Sequence, residues 1–80
     1  MISKMELLDR LALSFRCQKQ CNDDNTTYKL HKNNEIYLKD LMIFMKNNKI
    51  KYEIDKDIFY YETDEGMEES YFIEIIISNQ

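Results

Sequence analysis

The chain contains no proline and a single glycine, Gly66. One glycine excludes a Gly-rich phosphate-binding loop. The lack of proline, together with the absence of any repeat or low-complexity stretch, leaves nothing that resembles a linker, so 80 residues are expected to form one small domain, residues 1–80. No apolar run approaches the roughly 18–20 residues a membrane-spanning helix needs. MISKMELLDR at the N-terminus lacks the separate apolar segment and small-residue cleavage site of a signal peptide, and a cytoplasmic location is expected. Two cysteines, Cys17 and Cys21, are too few for a disulfide framework. Arginine, the best reader of base edges, occurs only at positions 10 and 16.

What is present in quantity is apolar surface and acid. The apolar fraction is 44%, above what disordered chains carry. At this length only about 60–65% of the unfolded surface can be buried, so stability is expected to be modest. Net charge is −4, but unevenly spread. Residues 1–51 hold ten Lys/Arg and six Asp/Glu, for +4; residues 52–80 hold one Lys and nine Asp/Glu, for −8. The densest stretch is YYETDEGMEE at 60–69, with five carboxylates in eight residues and no cation among them.

Local patterns predict six elements. Ser3 and Glu6 form a capping box, and Met5, Leu8, Leu11, Ala12 and Phe15 follow at helical spacing, predicting a helix over about residues 4–19. CNDDN at 21–25 is turn chemistry. TTYKLH at 26–31 alternates weakly and suggests a short edge strand. Asn33 and Asn34 offer a cap for a second helix, whose apolar residues (Leu38, Leu41, Met42 and Met45, flanked by Ile36, Tyr37, Ile43 and Phe44) make a stripe broad enough to predict burial over much of its circumference. Asn47 and Asn48 are expected to end it. KIKYEID at 49–55 is a clear period-two strand, Asp55-Lys56-Asp57 is read as a turn, and residues 58–63 as a second strand. Thr63 to Glu69 are expected to form a loop around Gly66, which can supply a positive φ. SYFIEIIIS at 70–78 is the third strand of a C-terminal meander. The expected class is α+β, two helices packed on a small antiparallel sheet in the order α-β-α-β-β-β.

Candidate chemistry is sparse. Cys17 and Cys21, four apart on a helix, would share a face, and with His31 they make three possible zinc ligands; a structural site takes four. Cys17 as a nucleophile would need a positioned base and an oxyanion site. Asp55, Asp57 and Glu62 do not fit a calcium loop, because Phe59 and Tyr60 fall where a ligand and a glycine belong. No enzymatic activity, cofactor or metal is expected. Tyr60 and Tyr61 must point to opposite faces of their strand, so one is expected to pack under the helices while the other stands among outward carboxylates. Glu53, Glu62 and Glu74 are expected on the outward face, with Asp55 and Asp57 at the far end, in the other turn.

Same-sign charges at this density cost stability in the free protein and suit a basic partner. The expected function is therefore a small acidic inhibitor that occupies the basic, nucleic-acid-binding surface of another protein. Tyr60, Tyr61, Glu62, Asp64, Glu65, Glu68 and Glu69 would form its binding surface. In size, charge and lack of catalytic residues the chain is similar in general kind to the small acidic inhibitors of phages and other mobile elements, such as anti-CRISPR proteins and other nucleic-acid mimics. The expected partner is a basic protein, with no direct contact to nucleic acid or membrane. A homodimer, through strand 70–78 if it lies at an edge, is the other association considered. The alternatives are a DNA-binding regulator of winged-helix-like element order, using Lys39, Lys46, Lys49 and Lys51, and an accessory subunit or immunity protein that docks through Phe72 and Ile76.

Overall fold

The computed structural model describes residues 2–79. Helix α1 (Lys4–Ser14) is followed by β1 (Gln18–Cys21), β2 (Asn25–His31), a 3-10 helix (Lys32–Tyr37), α2 (Leu38–Asn47), β3 (Glu53–Thr63) and β4 (Gly66–Ser78). The strands form one antiparallel sheet in the order β1-β2-β4-β3, and the class is α+β, with the helices on one face.

Both helix ends are set by local hydrogen bonding. The Glu6 amide donates to Ser3 Oγ (3.2 Å), satisfying one of the orphan donors at the start of α1. α1 ends five residues earlier than its apolar spacing predicts. Arg16 takes a left-handed φ of 65°, and the amides of Arg16 and Cys17 donate back to Leu13 and Ala12 (both 3.0 Å). This is a Schellman closure with arginine where glycine is usual. α2 ends the same way: Lys49, not an asparagine, carries φ 56°, and the amides of Lys49 and Ile50 donate to Lys46 and Met45.

The reversal at Arg16 sends residues 18–21 into β1. The CNDDN turn therefore joins two strands. Asn22 Oδ1 accepts from the amides of Asp24 and Asn25 (2.8 and 2.7 Å), and Asn79 ties the turn to the end of β4. The 3-10 helix precedes α2, and its cap is the His31 ring, whose Nδ1 accepts from the Asn33 amide (3.0 Å).

The core lies between helices and sheet. Leu8 and Ala12 of α1, and Leu41 and Met45 of α2, meet Tyr28, Leu30, Ile73, Ile75 and Ile77, with Cys17 and Ile50 closing the ends. These sheet residues are cross-strand neighbours: Thr26 faces Ile77, Tyr28 faces Ile75 and Leu30 faces Ile73. α2 is less buried than its stripe predicts: only Leu41 and Met45 are fully buried, and Met42 and Ile43 are exposed.

The C-terminal strands depart most from the local pattern. Asp55-Lys56-Asp57 is no turn: β3 runs unbroken for 11 residues, paired with β4 from Glu53↔Ile76 to Thr63↔Gly66. The expected loop at 63–69 shrinks to Asp64 and Glu65. Gly66 (φ 120°) opens β4, Thr63 Oγ1 donates to the Gly66 carbonyl (2.9 Å), and the Glu65 amide donates to Thr63 Oγ1 (3.2 Å). In place of a meander there is a long β3–β4 hairpin, with β4 inside the sheet.

β2 ends opposite Phe72. Beyond that point residues 58–63 and 66–71 pair only with each other, making a two-stranded arm six pairs long, about 20 Å. The arm explains the shape. The radius of gyration is 14.1 Å and the long axis 51 Å, where a compact 80-residue domain would have a radius near ~12 Å.

Candidate functional site: an acidic sheet face and arm

Register decides which side chains meet. On the open face, away from the helices, the strands place residues in rows across the sheet. Gln20, Thr27, Ile76 and Glu53 form one row; Gln18, Lys29, Glu74 and Asp55 the next; then His31, Phe72 and Asp57; then Ser70 with Phe59, and Glu68 with Tyr61. Glu53, Asp55 and Asp57 thus line the open face of β3 at every second residue, about 7 Å apart. Glu74 stands directly beside Asp55.

Lys29 is the one Lys or Arg among the strand residues of this face. It forms a long ion pair with Asp57 (3.7 Å) while facing Glu74 across the strands. Asp55 caps the next amide, its Oδ1 accepting from Lys56 N (2.8 Å). Glu53, Asp55, Glu68 and Glu74 have no salt bridge among the described residues. Opposed like charges are destabilising in a sheet, so the Asp55–Glu74 pair is a cost borne by the free protein.

An aromatic cluster adjoins the acids. His31 packs edge-on against Phe72 (centroids 5.3 Å apart), and Phe59 lies 5.5 Å from Phe72 and 6.3 Å from Tyr61. Because His31 Nδ1 accepts from Asn33, its Nε2 carries the proton in the neutral ring and faces Ser70 Oγ at 3.5 Å. Tyr61 donates its hydroxyl to Glu68 Oε2 (3.0 Å), and that bond to a carboxylate raises the phenol above its ordinary pKa.

The expected binding residues all fall on the arm, but not on one surface. Tyr61 and Glu68 lie on the open face; Tyr60, Glu62 and Glu69 lie on the opposite face with Met67; Asp64 and Glu65 form the tip. Three expectations are corrected. Glu62 is not on the outward face with Glu53 and Glu74. Neither tyrosine packs under the helices: Tyr60 points to their side, but the arm reaches past them and leaves it exposed. Asp55 and Asp57 are not at the far end, but in mid-strand beside Glu74. The signal for this was present, because Glu53, Asp55 and Asp57 keep the period of two that marks one face of a strand.

The base of the arm is anchored from the helix side. Tyr71 donates its hydroxyl to Glu35 of the 3-10 helix, which raises the phenol pKa, and Lys56 Nζ lies 4.3 Å from the Tyr71 ring centre.

The cysteines do not share a helix face, because the chain leaves α1 before either is reached. Cys17 is buried behind the Schellman turn, and burial pushes its thiol up to about 11, which keeps it protonated and a poor nucleophile. Cys21 is exposed on β1, with Sγ 3.7 Å from Thr26 Oγ1. Among the described residues no three His, Cys, Asp or Glu side chains converge as metal ligands, and no helix is long and apolar enough to cross a membrane.

Away from this region, Asp9 joins α1 to the sheet. It accepts from the buried Tyr28 hydroxyl (2.9 Å) and pairs with Lys19 (2.8 Å). The Lys19 bond holds the Asp9 carboxyl below its ordinary value. α2 and Tyr52 border an apolar groove of about 630 Å³ lined by Leu38, Met42 and Ile43, with Lys39 and Lys46 at its margin. Comparison with protein-family models, characterised proteins and solved structures finds no match for this chain.

Proposed function

We propose that the protein is a non-enzymatic inhibitor whose acidic sheet face and arm occupy the basic, nucleic-acid-binding surface of another protein. The observation that carries this reading is the open face: five carboxylates from two adjacent strands, Glu53, Asp55, Asp57, Glu68 and Glu74, set against Lys29 alone. A regular array of anions on a stiff sheet presents a basic groove with what a phosphate backbone presents. The aromatic cluster of Phe59, Phe72 and Tyr61 adds contact area at small entropic cost. Asp64 and Glu65 at the tip of the arm extend the negative surface along the long axis of the molecule.

Direct DNA binding is the second reading, resting on Lys39, Lys46, Lys49 and Lys51 around α2. The β1–β2 hairpin separates α1 from α2 in the chain, and the would-be wing carries Asp64, Glu65, Glu68 and Glu69, which phosphates repel. The observations favour the inhibitor.

The test is capture from a host lysate at low and moderate salt, beside two variants. One changes Asp55 and Asp57 to Asn and Glu74 to Gln; the other changes Asp64, Glu65, Glu68 and Glu69 to Ser. The expected result is salt-sensitive capture of a nucleic-acid-binding protein, its loss with the face variant, and release of that protein's own nucleic acid by the parent chain. Equal capture by parent and both variants, or DNA binding by the chain itself that weakens when the α2 lysines are neutralised, would overturn the reading.

A further inference from the structure

The sheet has two free edges of very different kind. β1 is blunt, with four exposed residues. β3 presents an open edge of 11 residues, its backbone paired on one side only. A long open edge is a template for another strand. Strand 70–78, where the sequence suggested dimerisation, is β4 and lies between β2 and β3, so that route is closed. The arm depends on the same edge. Beyond Phe72 it is a two-stranded ribbon without a third strand, a form that is marginal in water by itself. On the helix side this edge alternates Lys56 and Glu62 with apolar residues that stand uncovered: Ile54 is 43% exposed, Ile58 47% and Tyr60 66%.

We propose that a second copy of this chain occupies the β3 edge, the two β3 strands pairing antiparallel about a two-fold axis at Phe59. The charge pattern selects this register. A two-fold axis perpendicular to the sheet keeps both helical layers on the same side and must pass midway between the two copies of one residue, so that facing residues share a side of the sheet. With the axis at Lys56, two lysines oppose each other and Asp55 opposes Asp57. With the axis at Asp57, two aspartates meet. At Ile58 all like-charge contacts disappear, but Ile54 faces Glu62. At Phe59, Lys56 of each copy faces Glu62 of the other, Ile58 faces Tyr60, Phe59 faces Phe59, Asp57 faces Tyr61 and Asp55 faces Thr63. Over strand residues 55–63 this register has no like-charge pair, and it is the one of the four with two cross-copy ion pairs. Glu53 and Ile54 run out beside Glu65 and Asp64 of the other copy's turn, where the strand ladder has ended, and both arms gain the third strand they lack. Charges on an edge strand turn away most partners; here they admit a copy of themselves. The result is a continuous eight-stranded sheet with the open-face carboxylates of both copies on one side. The dimer stands on the edge and its charges, and does not depend on what the acidic face binds.

Charge reversal with rescue tests it, read by sedimentation equilibrium of the full chain, with circular dichroism to follow folding. The parent is expected at twice its 9.8 kDa. Glu62→Lys leaves the Lys56–Tyr71 contact intact and sets two lysine pairs across the axis; Lys56→Glu does the same with glutamates. Each is expected to raise the dimer dissociation constant about tenfold, since two contacts change sign at once. The double variant Lys56→Glu/Glu62→Lys restores both pairs and is expected to return to the parent's value. A parent that stays at 9.8 kDa at every concentration, single variants that dimerise like the parent, or a double variant no better than the singles would each overturn the proposal.

Discussion

β4 is one strand in two environments. Over residues 72–76 it has β2 on one side, β3 on the other and the helices above, and Ile73, Ile75 and, just beyond, Ile77 are almost fully buried. Over residues 66–71 it has β3 alone; Met67 is exposed, and Ser70 is the one residue of that half that is buried. The covalent chain and the β3 pairing continue unchanged across the boundary. What changes is the number of layers, and with it the apolar area withdrawn from water, at about 25 cal/mol per Å². The body supplies the stability; the arm and the adjoining open face are free to carry charges that a core would reject.

The largest expected effect breaks the body. Leu30 is fully buried against Ile73, and Leu30→Ala is expected to cost about 2–5 kcal/mol in urea denaturation, while Tyr60→Ala on the exposed arm costs less than about 1. For a domain of this size the first is a large share of the total.

Gly66→Ala separates the two halves more finely. No atom lies within 4 Å of where the methyl would go, so the cost is backbone strain at φ 120°, about 1–2 kcal/mol. Amide hydrogen exchange is expected to quicken over residues 58–71 while Ile73, Ile75 and Ile77 keep the parent's protection; uniform loss would show that arm and body open together.

Acid tests the α1 attachment. The folded Asp9 carboxyl lies below its ordinary 3.8, so its contribution is present above that value and is lost as pH falls through the folded pKa. Asp9→Asn is expected to be less stable than the parent at neutral pH, with the difference closing in acid. A constant difference would show that the carboxylate charge is not what Tyr28 and Lys19 use.

The smallest effect has the opposite sign. Relieving the facing pair by Asp55→Asn is expected to raise stability by a few tenths of a kcal/mol at low salt, and added salt should erase the gain. If the variant is less stable at low salt, the bond from Lys56 N to Asp55 outweighs the repulsion.

Features set by neighbours in the chain were legible in advance: the Ser3 cap, the turn at 21–25, the alternation of β4, the positive φ at Gly66 and the excess acid of residues 52–80. The errors have a common cause. Asp55-Lys56-Asp57 resembles a turn by residue type, yet it is strand because Glu74, Phe72 and Ile73 pair with it from across the hairpin. Gln18–Cys21 has no strand pattern, yet it is strand because Arg16 reverses the chain and β2 receives it. The stripe of α2 suggested deep burial, but how much of a helix is covered depends on which strands lie beneath it.

The sequence by itself determined the α+β class, the start of α1, the turn at 21–25 and the sign of the C-terminal charge, because caps, periodicity and turn chemistry act over a few residues. The start of α2 was not among them, since a 3-10 helix capped by His31, and not a cap at Asn33 or Asn34, leads into it. Only the tertiary structure decided that β4 is interior and β3 an edge, that Glu53, Asp55, Asp57 and Glu74 share a face while Glu62 does not, and that the arm projects past the helices. Those outcomes rest on contacts such as Thr26 Oγ1 to Asn79 Oδ1 (2.7 Å), made between residues 53 positions apart. A pattern of local preferences does not encode which distant strand will supply the partner.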